Sequence, residues 1–174
     1  MLVDYQTKIF RMNFRVGNGY DVHVLQDGLD FWLGGVKISH TKGCVAHSDG
    51  DVLIHAICDA LLGAANLRDI GYHFPDTNKE FKNIDSKILL KRTNELLKQK
   101  NYLIGNIDST ISLQKPKIKD YIPIMQEVLA NVLGLDQDLV SIKATTTEGL
   151  GFEGREEGIS AIVTVLIYKD GIAD

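Results

Sequence analysis

The chain has 174 residues, 19 basic and 23 acidic, with 44% hydrophobic residues, 24% charged ones and a formal net charge of -4. That length suits one domain that buries a sizeable core without disulfide or metal staples, and the composition excludes wholesale disorder. The acidic balance argues against a protein that wraps nucleic acid, and two cysteines, Cys44 and Cys58, form no disulfide framework, which favours a reducing, cytoplasmic setting.

Taken in chain order, residues 1–13 hold Lys8, Arg11 and Asp4 without a continuous apolar run. They are expected to be an N-terminal extension rather than a signal peptide, ahead of a single domain over residues 14–170. No apolar run reaches the roughly 18–20 residues of a membrane span, and no membrane partner is expected. Phe14 to Leu25 alternates Tyr20, Val22 and Val24 against Asp21 and His23, which predicts a strand. Phe31 to Ser39 predicts another, interrupted at Gly34-Gly35 by a bulge or bend. Asp51 to Asn66 predicts a helix with Leu53, Ile57, Ala60, Leu61 and Ala64 in one apolar stripe, and Ser48 with Asp51 reads as a variant capping box.

The stretch from Asn66 to Asn83 has no sustained period and contains Gly71, Pro75 and Asp76-Thr77-Asn78, so it reads as a long loop, a feature usually tied to function. Ser86 to Gln99 predicts a second helix, with Ile88, Leu89, Leu96 and Leu97 buried. Leu103 to Leu113 predicts a strand with Ile107, Ser109, Ile111 and Leu113 on one face. Asp120 to Leu133 predicts a third helix that tolerates Pro123 in its first turn and turns Met125, Leu129 and Val132 inward. Leu139 to Thr146 and Ile159 to Tyr168 are the last predicted strands, joined by a glycine-rich loop from Gly149 to Gly158. The expected fold class is α+β, a single domain with a mixed β-sheet and helices packed on one face. The other face needs cover; Ile111, Val163 and Val165 are the candidates to line it, and self-association would supply it.

Two groups of residues carry chemistry. Asp21 and His23, two apart on a strand, leave the same face. His55 stands on the following helix with Asp51 one turn before it and Asp59 one turn after, an arrangement suited to fixing a metal-binding tautomer. Asp21, His23 and His55 make a mixed nitrogen and oxygen set suited to Zn²⁺ with an open fourth position, as in a catalytic site. Spacing leaves a second reading open, in which Asp21 and His23 are a solvated pair and His55 a satisfied residue at the edge of the core.

The second group is Thr145-Thr146-Thr147-Glu148, which runs into Gly149-Leu150-Gly151-Phe152. Hydroxyls and free N–H groups at a strand end suit phosphate oxygens, and the carboxylate could hold Mg²⁺ on a diphosphate. Lys143, Arg155, Lys115 and Lys117 add positive charge, and His47-Ser48 sits at a helix start, where N–H groups attract anions. Threonines at strand ends and glycine turns also occur for purely conformational reasons. Neither a Walker A pattern nor G-x-G-x-x-G is present. Phosphoryl chemistry joins the two groups economically. A metal-dependent phosphohydrolase is one alternative, and a non-catalytic nucleotide-binding module, for a cytidine nucleotide on the resemblance that follows, is the other.

Gly19-Tyr20-Asp21-Val22-His23, His47-Ser48-Asp49-Gly50-Asp51, Asp69-Ile70-Gly71, Phe74-Pro75-Asp76-Thr77 and Thr145-Thr146-Thr147-Glu148, continued by Gly151-Phe152 and Gly154-Arg155, closely resemble the 2-C-methyl-D-erythritol 2,4-cyclodiphosphate synthase family. The likeness covers about Phe14 to Tyr168. It implies an enzyme of the non-mevalonate (methylerythritol phosphate) isoprenoid pathway, a cyclising phosphorus–oxygen lyase. The implied reaction turns 4-diphosphocytidyl-2-C-methyl-D-erythritol 2-phosphate into the cyclodiphosphate and CMP.

By position, Asp21, His23 and His55 match the family's zinc ligands, and Glu148 the carboxylate at a second divalent ion, Mg²⁺ or Mn²⁺. His47 and Thr146 match the residues that position and stabilise the reacting phosphates, and Ser48 a substrate contact beside them, while Thr145 and Thr147 flank the phosphates. Asp69, Ile70 and Gly71 match the ribose-contacting segment, and Phe74, Pro75, Asp76, Thr77 and Asn78 the loop over the methylerythritol moiety. Leu113, Gln114, Lys115, Pro116, Lys117, Ile118 and Lys119 match the cytosine-binding segment, and Phe152 and Arg155 lie near the phosphates and the inter-subunit cavity. The resemblance further implies a homotrimer with active sites between subunits. Leu113 and Lys115 stand where the family commonly has small residues, and Asn78 where it often has Asp.

Overall fold

The computed structural model describes residues 13–169. The expected N-terminal extension lies outside the described residues except for Asn13, and so does the domain's expected end at residue 170. The alternating first segment forms a 14-residue strand β1 (Phe14–Asp27), two residues longer than predicted. It pairs antiparallel with β4 (Lys42–Cys44) on one side and β7 (Gly158–Tyr168) on the other. Next to β7 stands β5 (Leu103–Ser112), antiparallel, and beside it β6 (Val140–Thr145), parallel to β5. The sheet order is β4-β1-β7-β5-β6, so the sheet is mixed, as expected.

Phe31 to Ser39 is not one strand but a hairpin of β2 (Phe31–Leu33) and β3 (Val36–Ile38). Gly34 and Gly35 take φ of 58° and 75°, the positive values that a two-residue I′ turn needs at both positions, so the pair turns the chain instead of bulging it. Strand β4 lies in a segment for which no element is predicted; at three residues it has too few positions to show alternation.

The first helix, α1 (Val52–Ala64), is apolar on nearly every side and sits at the centre of the molecule. Leu53, Ile54, Ile57, Leu61 and Leu62 are fully buried, each worth about 1.5–3 kcal/mol of transfer free energy. The helix lies on β1 in backbone contact: a Cβ at Gly17 would stand 2.0 Å from the Ala60 carbonyl oxygen, and one at Gly19 2.0 Å from that of Ala56. Two glycines on one strand face thereby set the height of α1 above the sheet. The helix starts at Asp51, whose carboxylate accepts from the Ile54 N–H at 3.0 Å, and not at the Ser48 box expected from sequence. Ser48 is instead turned toward His55.

The long loop contains a single-turn helix α2 (Ile70–His73), capped by Asp69, and a 3₁₀ turn Lys79–Phe81, capped by Asn78. Helix α3 (Ser86–Gln99) follows, then α4 (Ile122–Leu133) and a short α5 (Gly151–Gly154) inside the glycine-rich loop. On α3 the buried residues are Ser86, Leu89, Leu90, Thr93, Asn94 and Leu97; of those expected inside, Ile88 is exposed and Leu96 only partly covered, because the buried face falls one position later. On α4, Met125 and Leu129 are buried and Val132 is only partly covered.

The helices cover one face of the sheet, as expected, but the residues nominated for the open face are on the covered one. Ile111, Val163 and Val165 are buried beneath the helices. With a side-chain period of two, their neighbours project oppositely, and the open face carries Val16, Tyr20, Val22, Val24 and Ile162, each at least 43% exposed.

Candidate active site

Beyond the glycines of β1, the same strand face presents Asp21 and then His23, and the start of α1 presents His55 opposite them. Asp21 Oδ2 lies 3.0 Å from His23 Nε2 and 3.1 Å from His55 Nδ1, and the two ring nitrogens are 3.1 Å apart. Among the described residues this is the one group of at least three such side chains whose donor atoms converge in this way. Ligands about 2.0–2.1 Å from one tetrahedral ion stand about 3.3 Å apart, so the separations fit a single divalent cation with little movement. Two imidazoles and a carboxylate are also the donor set of a catalytic zinc site. The solvated-pair reading is therefore set aside: all three groups are partly buried and meet one another.

Burial alone would raise the Asp21 carboxyl, but hydrogen bonds and attraction from His23 and His55 outweigh it and hold the group well below the usual carboxylate range. His55 is pushed down by burial and up by Asp21, with the net shift upward. Both directions describe one event: a negative oxygen surrounded by imidazoles seeks positive charge.

The carboxylates one turn either side of His55 do not orient its ring. Fully buried Asp51 accepts the N–H groups of Gly34 at 2.9 Å and Gly35 at 2.6 Å as well as capping α1, so it locks the β2–β3 turn onto the helix. Asp59 accepts from the Ile70 N–H at 2.7 Å and anchors α2. The ring's other nitrogen, His55 Nε2, instead meets Ser86 Oγ at 2.9 Å and Ser48 Oγ at 3.2 Å. Ser86 donates in turn to Asp49. Sequence reasoning missed Asp49 and Ser86 because they act from a loop and from another helix; the only local sign was Asp85-Ser86 at the start of α3.

A cleft of about 420 Å³ opens over the three donors. His47 and Ser48 line it from the loop before α1, Ile70 and Gly71 from α2, and Phe74 and Asp76 from the loop beyond. Asp69, the cap of α2, accepts the Tyr72 N–H on its carboxylate at 2.8 Å. Pro75 is half-buried, and Thr77 and Asn78 are exposed.

A separate cleft of about 290 Å³ is lined by Leu113, Pro116 to Lys119, Thr145 and Thr146. Leu113 and Ile118 are buried in its wall. Gln114 has a buried Oε1 without a partner, and Lys115 pairs with Glu156 at 2.9 Å. Thr146 Oγ1 donates to Glu148 Oε1 at 2.8 Å, so two residues nominated for phosphate and metal work touch, with Glu148 at a φ of 54°. Thr147 caps its own turn through the Leu150 carbonyl. Phe152 packs against Gly158, and Arg155 is held by Glu157 at 2.9 and 3.0 Å. The two clefts share no residue: one opens at β1, the other at β6, with β7 and β5 between them.

The YgbB family model matches residues 14–168. A 2-C-methyl-D-erythritol 2,4-cyclodiphosphate synthase from Bacteroides thetaiotaomicron is 64% identical over 159 residues, covering 91% of this chain and 100% of that one. The Bacteroides fragilis synthase is 66% identical, covering 91% and 99%. Among solved structures, IspF of Plasmodium falciparum in complex with CDP is 34% identical with a TM-score of 0.81, covering 91% of this chain and 98% of that one. The bifunctional IspDF of Campylobacter jejuni is 43% identical with a TM-score of 0.88, and this chain, 91% covered, spans 43% of it. On these matches and on the converging donors of its cleft, the chain belongs to the YgbB family, the 2-C-methyl-D-erythritol 2,4-cyclodiphosphate synthases.

Proposed function

We propose that the chain folds 4-diphosphocytidyl-2-C-methyl-D-erythritol 2-phosphate onto itself, so that an oxygen of the 2-phosphate attacks the β-phosphorus. The new P–O bond closes the cyclodiphosphate, and the bond to the bridging oxygen breaks, its electron pair leaving with CMP. The substrate carries its own nucleophile, so the protein supplies positioning and charge compensation. The observation that carries this reading is the convergence of Asp21, His23 and His55 at the floor of a cleft.

Those three residues would hold Zn²⁺, and Glu148, beside Thr146, would hold a second ion, Mg²⁺ or Mn²⁺. When bound, such cations supply Lewis-acid charge compensation to phosphate oxygens. His47 and Thr146 position and stabilise the reacting phosphates, Ser48 contacts the substrate beside them, and Thr145 and Thr147 frame the phosphate turn. Asp69, Ile70 and Gly71 hold the ribose, and Phe74 to Asn78 cover the methylerythritol portion. Cytosine sits against Leu113 to Lys119, read largely by backbone groups; Phe152 and Arg155 border the phosphates.

The working unit is a homotrimer in the cytoplasm, with residues 14–170 as its repeating domain. Support comes from the two clefts: three strand spacings of about 4.8 Å separate β1 from β6, so one subunit holds its cation donors and its Thr145–Thr146 corner about 14 Å apart. A neighbouring copy packed through the open apolar face would bring one subunit's β6 cleft to the next subunit's β1 cleft. The test is product analysis by ³¹P NMR with the diphosphocytidyl substrate, Zn²⁺ and Mg²⁺. Equal release of CMP and cyclic diphosphate is expected. An open-chain diphosphate or inorganic phosphate as the main product would mean that water is the nucleophile, and no turnover would leave a binding module.

A further inference from the structure

We infer that Ser86, held by Asp49, is a positioning residue that fixes His55 in the tautomer whose Nδ1 lone pair faces Asp21 and His23. The inference rests on the reading of those three residues as a cation site.

Asp49 accepts the Ser86 N–H at 2.9 Å on one carboxylate oxygen and the Ser86 hydroxyl at 2.5 Å on the other. An ionised carboxylate accepts only, so the Ser86 hydroxyl proton is committed to it. The lone pairs left on Ser86 Oγ can only accept, and His55 Nε2 stands 2.9 Å away. That nitrogen must carry a proton. In a neutral imidazole the other nitrogen then carries the lone pair, and His55 Nδ1, which donates to Asp21 only when the ring is doubly protonated, is the atom 3.1 Å from both Asp21 Oδ2 and His23 Nε2.

The alternative tautomer has a ready partner. Ser48 Oγ is 3.2 Å from the same Nε2 and accepts the Gly50 N–H, so its own hydroxyl proton is free to be donated to that nitrogen. His55 Nδ1–H would then bond to Asp21 and occupy the direction a cation needs. Ser86 tips this balance, and the surroundings make it rigid. It is fully buried at the first turn of α3, and Asp49 is held between the Ile84 carbonyl, 3.2 Å from its N–H, and the Asp51 N–H, 3.2 Å from its carboxylate. Helix α3 and the loop before α1 thus both bear on one ring nitrogen.

The test compares zinc affinity, by competition with a chromophoric chelator, for the wild-type chain, Ser86→Ala, Asp49→Asn, the double variant and His55→Ala. Ser86→Ala is expected to bind zinc about 10–100-fold more weakly, with the double variant no weaker than the worse single one. In ¹⁵N-histidine NMR of the zinc-free chain, at a pH where the ring is neutral, His55 is expected to change from the Nε2–H to the Nδ1–H form in Ser86→Ala. Affinity within about twofold of wild type, or weakened binding with the tautomer unchanged, overturns the inference. If Ser86→Ala does not fold, Asp49→Asn, which keeps the volume, carries both measurements. Should His55→Ala bind zinc as wild type does, the cation site itself is wrong; should it lose zinc while Ser86→Ala keeps it, only the tautomer inference falls.

Discussion

Around the cleft, Asp21, Asp51 and Asp59 each have a task set by their neighbours. Asp21 faces imidazoles and keeps its charge; Asp51, fully buried, spends its oxygens on three backbone N–H groups; Asp59 anchors α2. The spacing of positions 51, 55 and 59 disclosed that one face of the helix is polar, but not which partner each residue would find, because those partners come from a distant turn and another helix. The two thiols illustrate the same dependence on surroundings. Burial pushes Cys44 and Cys58 each up to about 12. Unfolded thiols titrate near 8.5, so above that pH the unfolded chain loses protons that the folded chain keeps, and stability falls by about 1.4 kcal/mol per pH unit for each thiol. The sign is therefore loss of stability with rising pH between about 8.5 and 12, and none below. Iodoacetamide at pH 9 is expected to leave both thiols of the native chain unmodified and to label two after unfolding in guanidinium. Rapid labelling of the native chain would contradict this burial.

Elements differ in how plainly the sequence announces them. Strand β1 and helices α1, α3 and α4 show enough periods of alternation or stripe to be read directly, with ends shifted by a residue or two. Strand β4 and helix α2 are too short for any period, and the β2–β3 hairpin was hidden because a glycine pair serves bulge and turn alike until its φ values are known. Which sheet face the helices cover was legible in pattern but assigned the wrong way: Val163 and Val165 are no more apolar than Val22 and Val24. What decides it is the pair of glycines on β1 that admits α1. Gly19→Ala is expected to lift α1, costing about 1–3 kcal/mol by overpacking and weakening zinc binding together, because His55 moves with the helix while Asp21 and His23 stay on the strand. Denaturant melts and zinc titrations of this variant check it; a stable variant with normal affinity would show that the contact is not what sets the height.

At the scale of the whole molecule, the sheet is covered on one face and bare on the other, with Val16, Tyr20, Val22, Val24 and Ile162 exposed on two adjacent strands. An apolar surface of this kind marks an interaction site, and a second and third copy of the chain are the proposed occupants. Sedimentation velocity is expected to give the mass of three chains for the wild type and of smaller species for Val22→Glu, which puts a charge in the middle of the patch. A wild-type chain that sediments as a monomer at micromolar concentration would remove the composite site from the account. Motif order pointed to the family before any coordinates, because the residues proposed to touch phosphates and metals are constrained by type; the partners that orient them are constrained only by position.

A carboxylate of β1 and two imidazoles, one from β1 and one from α1, are proposed to close on a single divalent cation at the cleft floor. Anomalous scattering at the zinc edge, from crystals grown with zinc and soaked in CMP, tests it most directly. One strong peak within bonding distance of Asp21, His23 and His55 is predicted. Crystals in which these side chains point apart, with no peak between them, would contradict it.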